Sequence, residues 1–294
     1  MKNLIYCGDN LPILKQMEDE SVDLIYIDPP FNTGKQQKRT QISTTRSAQG
    51  DRLGFKGNSY KTVRLGTKEY SDLFDDYLEF LSPRLEEVHR ILKPTGTFYF
   101  HIDYREVHYC KVLIDTIFGR KCFLNEIIWA YAYGGKAKKK WPAKHDNILV
   151  YVKDPKKYVF NVKEVDRIPY MAPNLVGPEK AAKGKLPTDT WWHTIVPTNG
   201  TEKTGYPTQK PLGVIDRIIK ASSNPGDLVL DFFAGSGTIG ASCLKLKRNF
   251  ILIDKSRQAM DVMAQRFSNT SNIRWIGFDP KRKKVSSKNK DARK

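Results

Sequence analysis

Cysteine and histidine are scarce in this chain, with four and five in 294 residues. Cys7, Cys110, Cys122 and Cys243 lie far apart, with no CxxC pair and no histidine at metal-ligand spacing. That excludes a disulfide framework, predicts buried thiols of a reducing cytosol, and predicts no metal site. No apolar run is long enough to span a bilayer, and the opening MKNLIYCGDN lacks the apolar stretch of a signal peptide. Acids are also in short supply: 32 against 50 lysines and arginines, a formal charge of +18. Such an excess attracts polyanions, nucleic acid first among them. Part of it sits in the terminal KRKKVSSKNKDARK, which is polar, lacks apolar periodicity and reads as a disordered basic tail over 279–294. Two internal regions carry much of the rest. Between Lys35 and Lys68 the only acid is Asp51, and GGKAKKKWPAKHD spans Gly134 to Asp146.

What is present suits a globular core: 39% apolar residues, with 14 Phe, 14 Tyr and 5 Trp. No internal repeat is evident. NLIYC and LIYI read as strands, YSDLFDDYLEFLSPRLEEVHRIL as a helix stopped by KPTG, TFYFHID as a strand and REVHYCKVLIDTIFG as a helix. NEIIWAYA and NILVYVKD form a candidate hairpin with the GGKAKKKW segment at its tip. Residues 154–204 are irregular and proline-rich, with TWWHTIV as their main aromatic feature. A helix over Leu212–Ser222, the strand GDLVLD, a helix, the strand NFILID, a last helix and a strand near Ile273–Ile276 complete the pattern. Strands alternating with helices predict an α/β, doubly wound, Rossmann-like parallel sheet, closed here by an antiparallel hairpin. The expected domain is one unit over 1–278, with a basic loop at 32–69 and an insertion at about 134–204. Ligands of such sheets sit beyond the carboxyl ends of the strands, which puts Asp9, Asp28, Asp231 and Asp254 on one rim.

Two stretches on that rim carry chemistry. In VDLIYIDPPFNTG the strand ends in Asp28-Pro29-Pro30-Phe31. Proline cannot continue a central strand; two of them stiffen the turn and leave carbonyl oxygens unpaired beside a carboxylate and an aromatic ring. That set suits a flat, amine-bearing ring, and the plain alternative is a strand followed by a proline turn. In VLDFFAGSGTIG, Gly235, Gly237 and Gly240 spell GxGxxG, and Asp254 ends the next strand, where a ribose-binding acid belongs. This fits NAD or S-adenosylmethionine. Two features favour the latter. Asp231 opens the turn and faces a methionine amino group, and Thr208 and Lys210 of YPTQKP offer partners for its carboxylate.

The ordered set GDN, DPPF, KPTG, HID, NEIIW, TQKP, DFFAGSGT and ILID resembles the DNA amino-methyltransferases of the β arrangement, in which the catalytic motif precedes the cofactor motif. The resemblance covers the chain except residues 32–69, a stretch longer and more basic than the pattern, and the tail. It implies a circularly permuted S-adenosylmethionine-dependent methyltransferase fold with a target-recognition region between the motifs. Asp28, Pro29, Pro30 and Phe31 are then catalytic. Asp9, Thr208, Lys210, Asp231, Phe233, Ala234, Gly235, Gly237, Thr238 and Asp254 hold the cofactor. Lys35, Lys38, Arg39, Lys136, Lys138, Lys139 and Lys140 are candidate phosphate contacts, and Trp191, with Trp192 and His193, reads bases or packs. The implied partner is double-stranded DNA in a bacterial cytoplasm. A restriction endonuclease partner, and the choice between monomer and homodimer, stay open.

An exocyclic base amine is a poor nucleophile because its lone pair is delocalised into the ring. Hydrogen bonds to Asp28 and to the Pro29 carbonyl localise that pair, Phe31 stacks on the ring, and the base has to leave the duplex first. The favoured target is adenine N6, then cytosine N4, whose enzymes more often carry Ser at the place of Asp28. RNA or protein methylation, a non-catalytic DNA-binding module and a dinucleotide oxidoreductase are more distant.

Overall fold

In a computed structural model, residues 3–32, 35–46, 52–53, 59–72, 76–132, 137–197 and 200–281 are described. In chain order the elements are β1 (Asn3–Cys7), α1 (Asn10–Leu14), β2 (Val22–Ile27), β3 (Lys35–Arg46), β4 (Arg52–Leu53), β5 (Ser59–Asp72), α2 (Tyr77–Ile91), β6 (Leu92–Ile102), α3 (Val107–Phe118), β7 (Phe123–Ala130), β8 (His145–Val152), α4 (Pro178–Lys183), β9 (Thr190–Trp192), α5 (Leu212–Ser222), β10 (Leu228–Asp231), α6 (Thr238–Leu246), β11 (Asn249–Asp254), α7 (Arg257–Arg266) and β12 (Ile273–Ile276). The chain divides into two compact units, Met1–Pro29 with Leu81–Lys294, and Pro30–Phe80.

The larger unit is built on a nine-stranded sheet in the order β12-β1-β11-β10-β2-β6-β8-β7-β9. Every strand but β8 runs in one direction; β8 pairs antiparallel with β6 and β7. The central strands are buried on both faces, which is why they read as unbroken apolar runs: LVLD of β10 is wholly buried, and so are Leu24 to Ile27 of β2. The α5 stripe of Val214, Ile215, Ile218 and Ile219 packs into the same core as Tyr26, Tyr99 and Val229. The expected hairpin is β7–β8, and α5 and β12 have the expected bounds.

From β10 the chain moves through α6 to β11 on one side, and from β2 through α2 to β6 on the other. The winding therefore reverses between β2 and β10, the place where sheets of this kind bind ligands.

The smaller unit differs from the sequence expectation. Where Gln-, Thr- and Lys-rich composition predicted an irregular loop over 32–69, the backbone forms a three-stranded antiparallel sheet, order β3-β5-β4. Its register runs from Lys35↔Asp72 to Arg46↔Tyr60, with an irregularity after Gln41. Composition misses it because these strands carry no alternating apolar face. The helix expected from Tyr70 begins at Tyr77, since residues 70–72 belong to β5. The KPTG stop ends α2, as expected, but falls inside β6, where the register with β2 slips between Val22 and Leu24. No described helix is long and apolar enough to cross a membrane.

Candidate active site

The parallel strands deliver four carboxylates to one rim. Asp231 closes β10, Asp254 closes β11, Asp28 follows β2 directly and Asp9 lies two residues beyond β1. Because β8 runs the other way, its first residues, His145 and Asp146, join the same rim.

Asp28 is held by one oxygen and bare on the other. The Lys210 ammonium donates to Oδ2 in an ion pair whose side chains are only 11% and 14% exposed. Oδ1 is buried and has no hydrogen-bond partner among the described residues. A buried, unpartnered carboxylate oxygen is costly, and its survival points to a donor that arrives with a ligand. Behind it lies the fully buried His101 ring, whose Nδ1 is 4.0 Å from Asp28 Oδ1 and 2.7 Å from the Tyr26 hydroxyl. Its Nε2 is 3.2 Å from Asp146 Oδ2, and the Tyr131 hydroxyl donates to Asp146 Oδ1 at 2.9 Å. Burial pushes the Asp146 carboxyl up, but its hydrogen bond with His101, with Lys210 and Tyr131 nearby, holds it below the usual range. Tyr26 is pushed well above the ordinary phenol by burial and by the nearby Asp28, Asp231 and Asp146.

The glycine-rich turn is internally bonded instead. Asp231 Oδ1 accepts from the Phe233 amide at 3.0 Å. Asp254 accepts from the Gly235 and Ser256 amides, each at 2.8 Å. The Ala234 amide donates to the Ile253 carbonyl. Gly237 sits at φ 70°, and a Cβ there would meet Met263 at 2.8 Å. A Cβ on Gly240 would meet Leu252 at 2.8 Å. These two glycines thus serve helix packing. Gly235, at φ 50°, faces the Tyr206 ring. The Thr238 hydroxyl donates to the Lys210 carbonyl at 3.3 Å and accepts from Arg266 at 3.1 Å, so it braces the site. Burial draws Arg266 down to about 10. Burial also pushes Asp231 well above the carboxylate range, and Asp28 and Asp254 add to the rise against the Phe233 amide and Lys210. Asp254 is raised by burial, against its two amide bonds. Asp231 feels the charges of both Asp28 and Asp254 against the single Lys210 ammonium, a setting that favours a cationic ligand.

The other expected residues separate into groups. Asp9 caps α1 through the Leu11 amide and pairs with Arg84 at 3.2 Å, while the Phe233 ring lies 5.1 Å from Phe232. Thr208 is exposed. Lys210 gives its ammonium to Asp28. Pro30 and Phe31 open the smaller unit, where the Tyr77 hydroxyl donates to the Pro30 carbonyl at 2.6 Å, so that oxygen is not left over by the turn.

Lys138, Lys139 and Lys140 are exposed in the β7–β8 connection, followed by Trp141 at 95% exposure, a residue that no sequence pattern singles out. Trp191 corrects an expectation: it is buried, donates from Nε1 to the Thr188 carbonyl at 2.8 Å and carries the Arg217 guanidinium over its ring. It is a packing residue, whereas Trp192 is exposed. Lys35, Lys38 and Arg39 lie on β3. Lys136 and the tail beyond 281 lie outside the described residues. Sequence reasoning also misses Arg84, Asn10, His101 and Asp146 as members of the site. Asn10 donates to the Phe232 carbonyl at 2.8 Å and accepts from Arg84 at 2.7 Å, tying β1's end to the glycine turn.

A carboxylate with one bare oxygen thus lies at the switch point, beside an acid-lined glycine turn. The chain belongs to the N6/N4 DNA methylase family, whose signature matches residues 22–266. It is 32% identical over 282 residues to the type II methyltransferase M.HpaI of Haemophilus parainfluenzae, covering 95% of this chain and 77% of that protein. It is also 32% identical over 279 residues to the DNA adenine methyltransferase YhdJ of Escherichia coli K12, covering 92% and 84%. In fold it resembles the PvuII cytosine-N4-specific DNA methyltransferase, with a TM-score of 0.61 at 19% identity over 92% of this chain and 89% of that one.

Proposed function

We propose that the protein transfers a methyl group from S-adenosylmethionine to the exocyclic N6 amine of an adenine flipped out of duplex DNA. The observation that carries this reading is the bare, buried Oδ1 of Asp28, with Oδ2 fixed by Lys210. Oδ1 accepts one N–H of the target amine, the Pro29 carbonyl accepts the other, and Phe31 supplies an aromatic face for the ring. The two acceptors localise the nitrogen lone pair and aim it, so that rate comes from positioning and fixed charge. S-adenosylmethionine supplies an electrophilic methyl on a sulfonium. Asp254 suits its ribose hydroxyls, since each carboxylate oxygen takes one backbone amide and retains a lone pair. Asp231 suits its amino group, because a cation there offsets the unfavourable burial of that carboxylate. Phe233, Ala234, Gly235 and Asp9 line the cofactor side with them, and Thr208 offers a hydroxyl to its carboxylate.

Lys138, Lys139, Lys140 and the basic 32–69 segment contact phosphates, and 134–204 is the target-recognition region. The protein works in a bacterial cytoplasm, and a restriction endonuclease is the further partner this reading allows. Adenine is favoured over cytosine by the 32% identity to an adenine enzyme over nearly the whole chain; the fold shared with a cytosine-N4 enzyme keeps that base as the second reading. Mass spectrometry of nucleosides from DNA treated with the protein and S-adenosylmethionine decides. N6-methyladenine is the expected product, N4-methylcytosine alone transfers the assignment to the second reading, and unmodified DNA rejects both.

A further inference from the structure

Asp28 can accept the target amine only while its Oδ1 stays bare, yet the His101 ring, with Nδ1 4.0 Å from it, brings a further donor into its surroundings. That donor is the Tyr26 hydroxyl, buried on the strand that delivers Asp28 and directed at the same His101 nitrogen. A phenol has one proton to give. Where that proton goes is set on the far side of the histidine ring. Asp146 is a carboxylate and only accepts, so the Nε2 facing it carries the ring proton. In the neutral ring Nδ1 then has a lone pair and no hydrogen, and the 2.7 Å contact is Tyr26 donating to it. Tyr131 donates to the other oxygen of Asp146 and Trp129 packs edge-on to the imidazole at 5.5 Å, so ring and carboxylate are both held in place.

Resting on the methyl-transfer reading above, we infer that His101 is a positioning residue: fixed by Asp146 as the Nε2–H tautomer, it takes the only proton of Tyr26 and thereby keeps Asp28 Oδ1 free for the target amine. Without that acceptor the Tyr26 proton is free to turn to Asp28 Oδ1, which shares the surroundings of His101 Nδ1 with it, and a charge-assisted hydrogen bond there competes with substrate. Such a role makes an unusual demand on mutational data, since removing the Tyr26 hydroxyl as well has to restore what removing the imidazole took away.

The test is single-turnover methylation of duplex DNA at saturating DNA and S-adenosylmethionine, by wild type, His101→Phe, and His101→Phe combined with Tyr26→Phe. We expect His101→Phe to lose about 10²-fold in rate, the scale of one mispositioned catalytic hydrogen bond, and the double variant to regain at least tenfold of that. A double variant as slow as the single one, or slower, overturns the inference, because a merely structural histidine gives losses that accumulate. Should His101→Phe not fold, nitrogen NMR of the wild-type protein labelled in histidine decides by itself. The Nε2–H tautomer at His101 supports the inference, and the Nδ1–H tautomer or an imidazolium at the pH of activity overturns it. Absence of any methylated base with wild-type protein sinks the transfer reading instead, and the tautomer measurement does not depend on that outcome.

Discussion

The turns after β2 and β10 end neighbouring strands of one sheet, yet they treat their polar atoms in opposite ways. After β10, the Asp231, Asp254 and Thr238 side chains each accept or donate within the protein, and two of the three glycines are crowded by the helix–sheet packing they permit. After β2, the protein grips one oxygen of Asp28 and leaves the other without a partner among the described residues. A surface that binds a cofactor can be complete beforehand, because most of its work is shape and charge. A surface that reshapes an amine must keep an acceptor in reserve, and on the proposed reading that reserve is a single atom.

The contrast breaks most sharply at Asp28. Asp28→Ala is expected to cost about 10²–10³ in methylation rate, the loss of one positioned partner, while S-adenosylmethionine affinity measured by calorimetry stays close to wild type. Equal losses in both would merge the two turns into one function. Asp254→Ala should show the reverse ranking, with cofactor affinity falling about 10–100-fold, as for a hydrogen bond to a charged group. Unchanged affinity there removes the ribose role.

Asp231→Asn separates stability from binding. The carboxyl of Asp231 is raised by burial, so the folded state holds its proton more tightly than the unfolded chain does. Ionised Asp231 therefore costs stability above that raised value. The cost fades as pH falls toward the ordinary 3.8. The amide should raise Tm at pH 7 by a few degrees, about 2–4 °C for a chain of this size, with the gain shrinking as the solution is acidified, and it should weaken cofactor binding. Scans at two pH values check the sign, and a gain that grows toward acid contradicts it. The smallest effect expected is at the hairpin tip. Replacing Lys138, Lys139 or Lys140 with Ala should flatten the log–log salt dependence of DNA binding by about 0.9 for each phosphate no longer neutralised. Titration across salt reads that slope, and the rate at saturating DNA should not change.

How far the molecule is legible in its sequence differs residue by residue. The helix Leu212–Ser222 and the strands ending at Asp28, Asp231 and Asp254 follow from local signals, namely apolar period, proline and glycine, and chain order alone puts those acids on one rim. Trp191 and Trp192 show the limit. Adjacent residues of a strand face opposite ways, so a Trp-Trp pair says that one is buried without saying which. The β3–β5 sheet escapes notice because its strands lack the apolar alternation that betrays a half-buried one. His101 falls in a predicted strand and Asp146 at the end of a basic segment, but their contact depends on β6 lying antiparallel to β8, a pairing 45 residues apart in the chain.

Lys210 has one more property. Its ammonium holds Asp28 while its carbonyl receives the Thr238 hydroxyl at the first residue of α6. One residue is thus anchored to both turns, and a displacement of the glycine turn is passed to the Asp28 carboxylate through a single residue. On the proposed reading the two ligand sites share a coupling free energy, and linkage makes it reciprocal: whatever factor S-adenosylmethionine adds to the affinity for DNA, DNA adds to the affinity for S-adenosylmethionine.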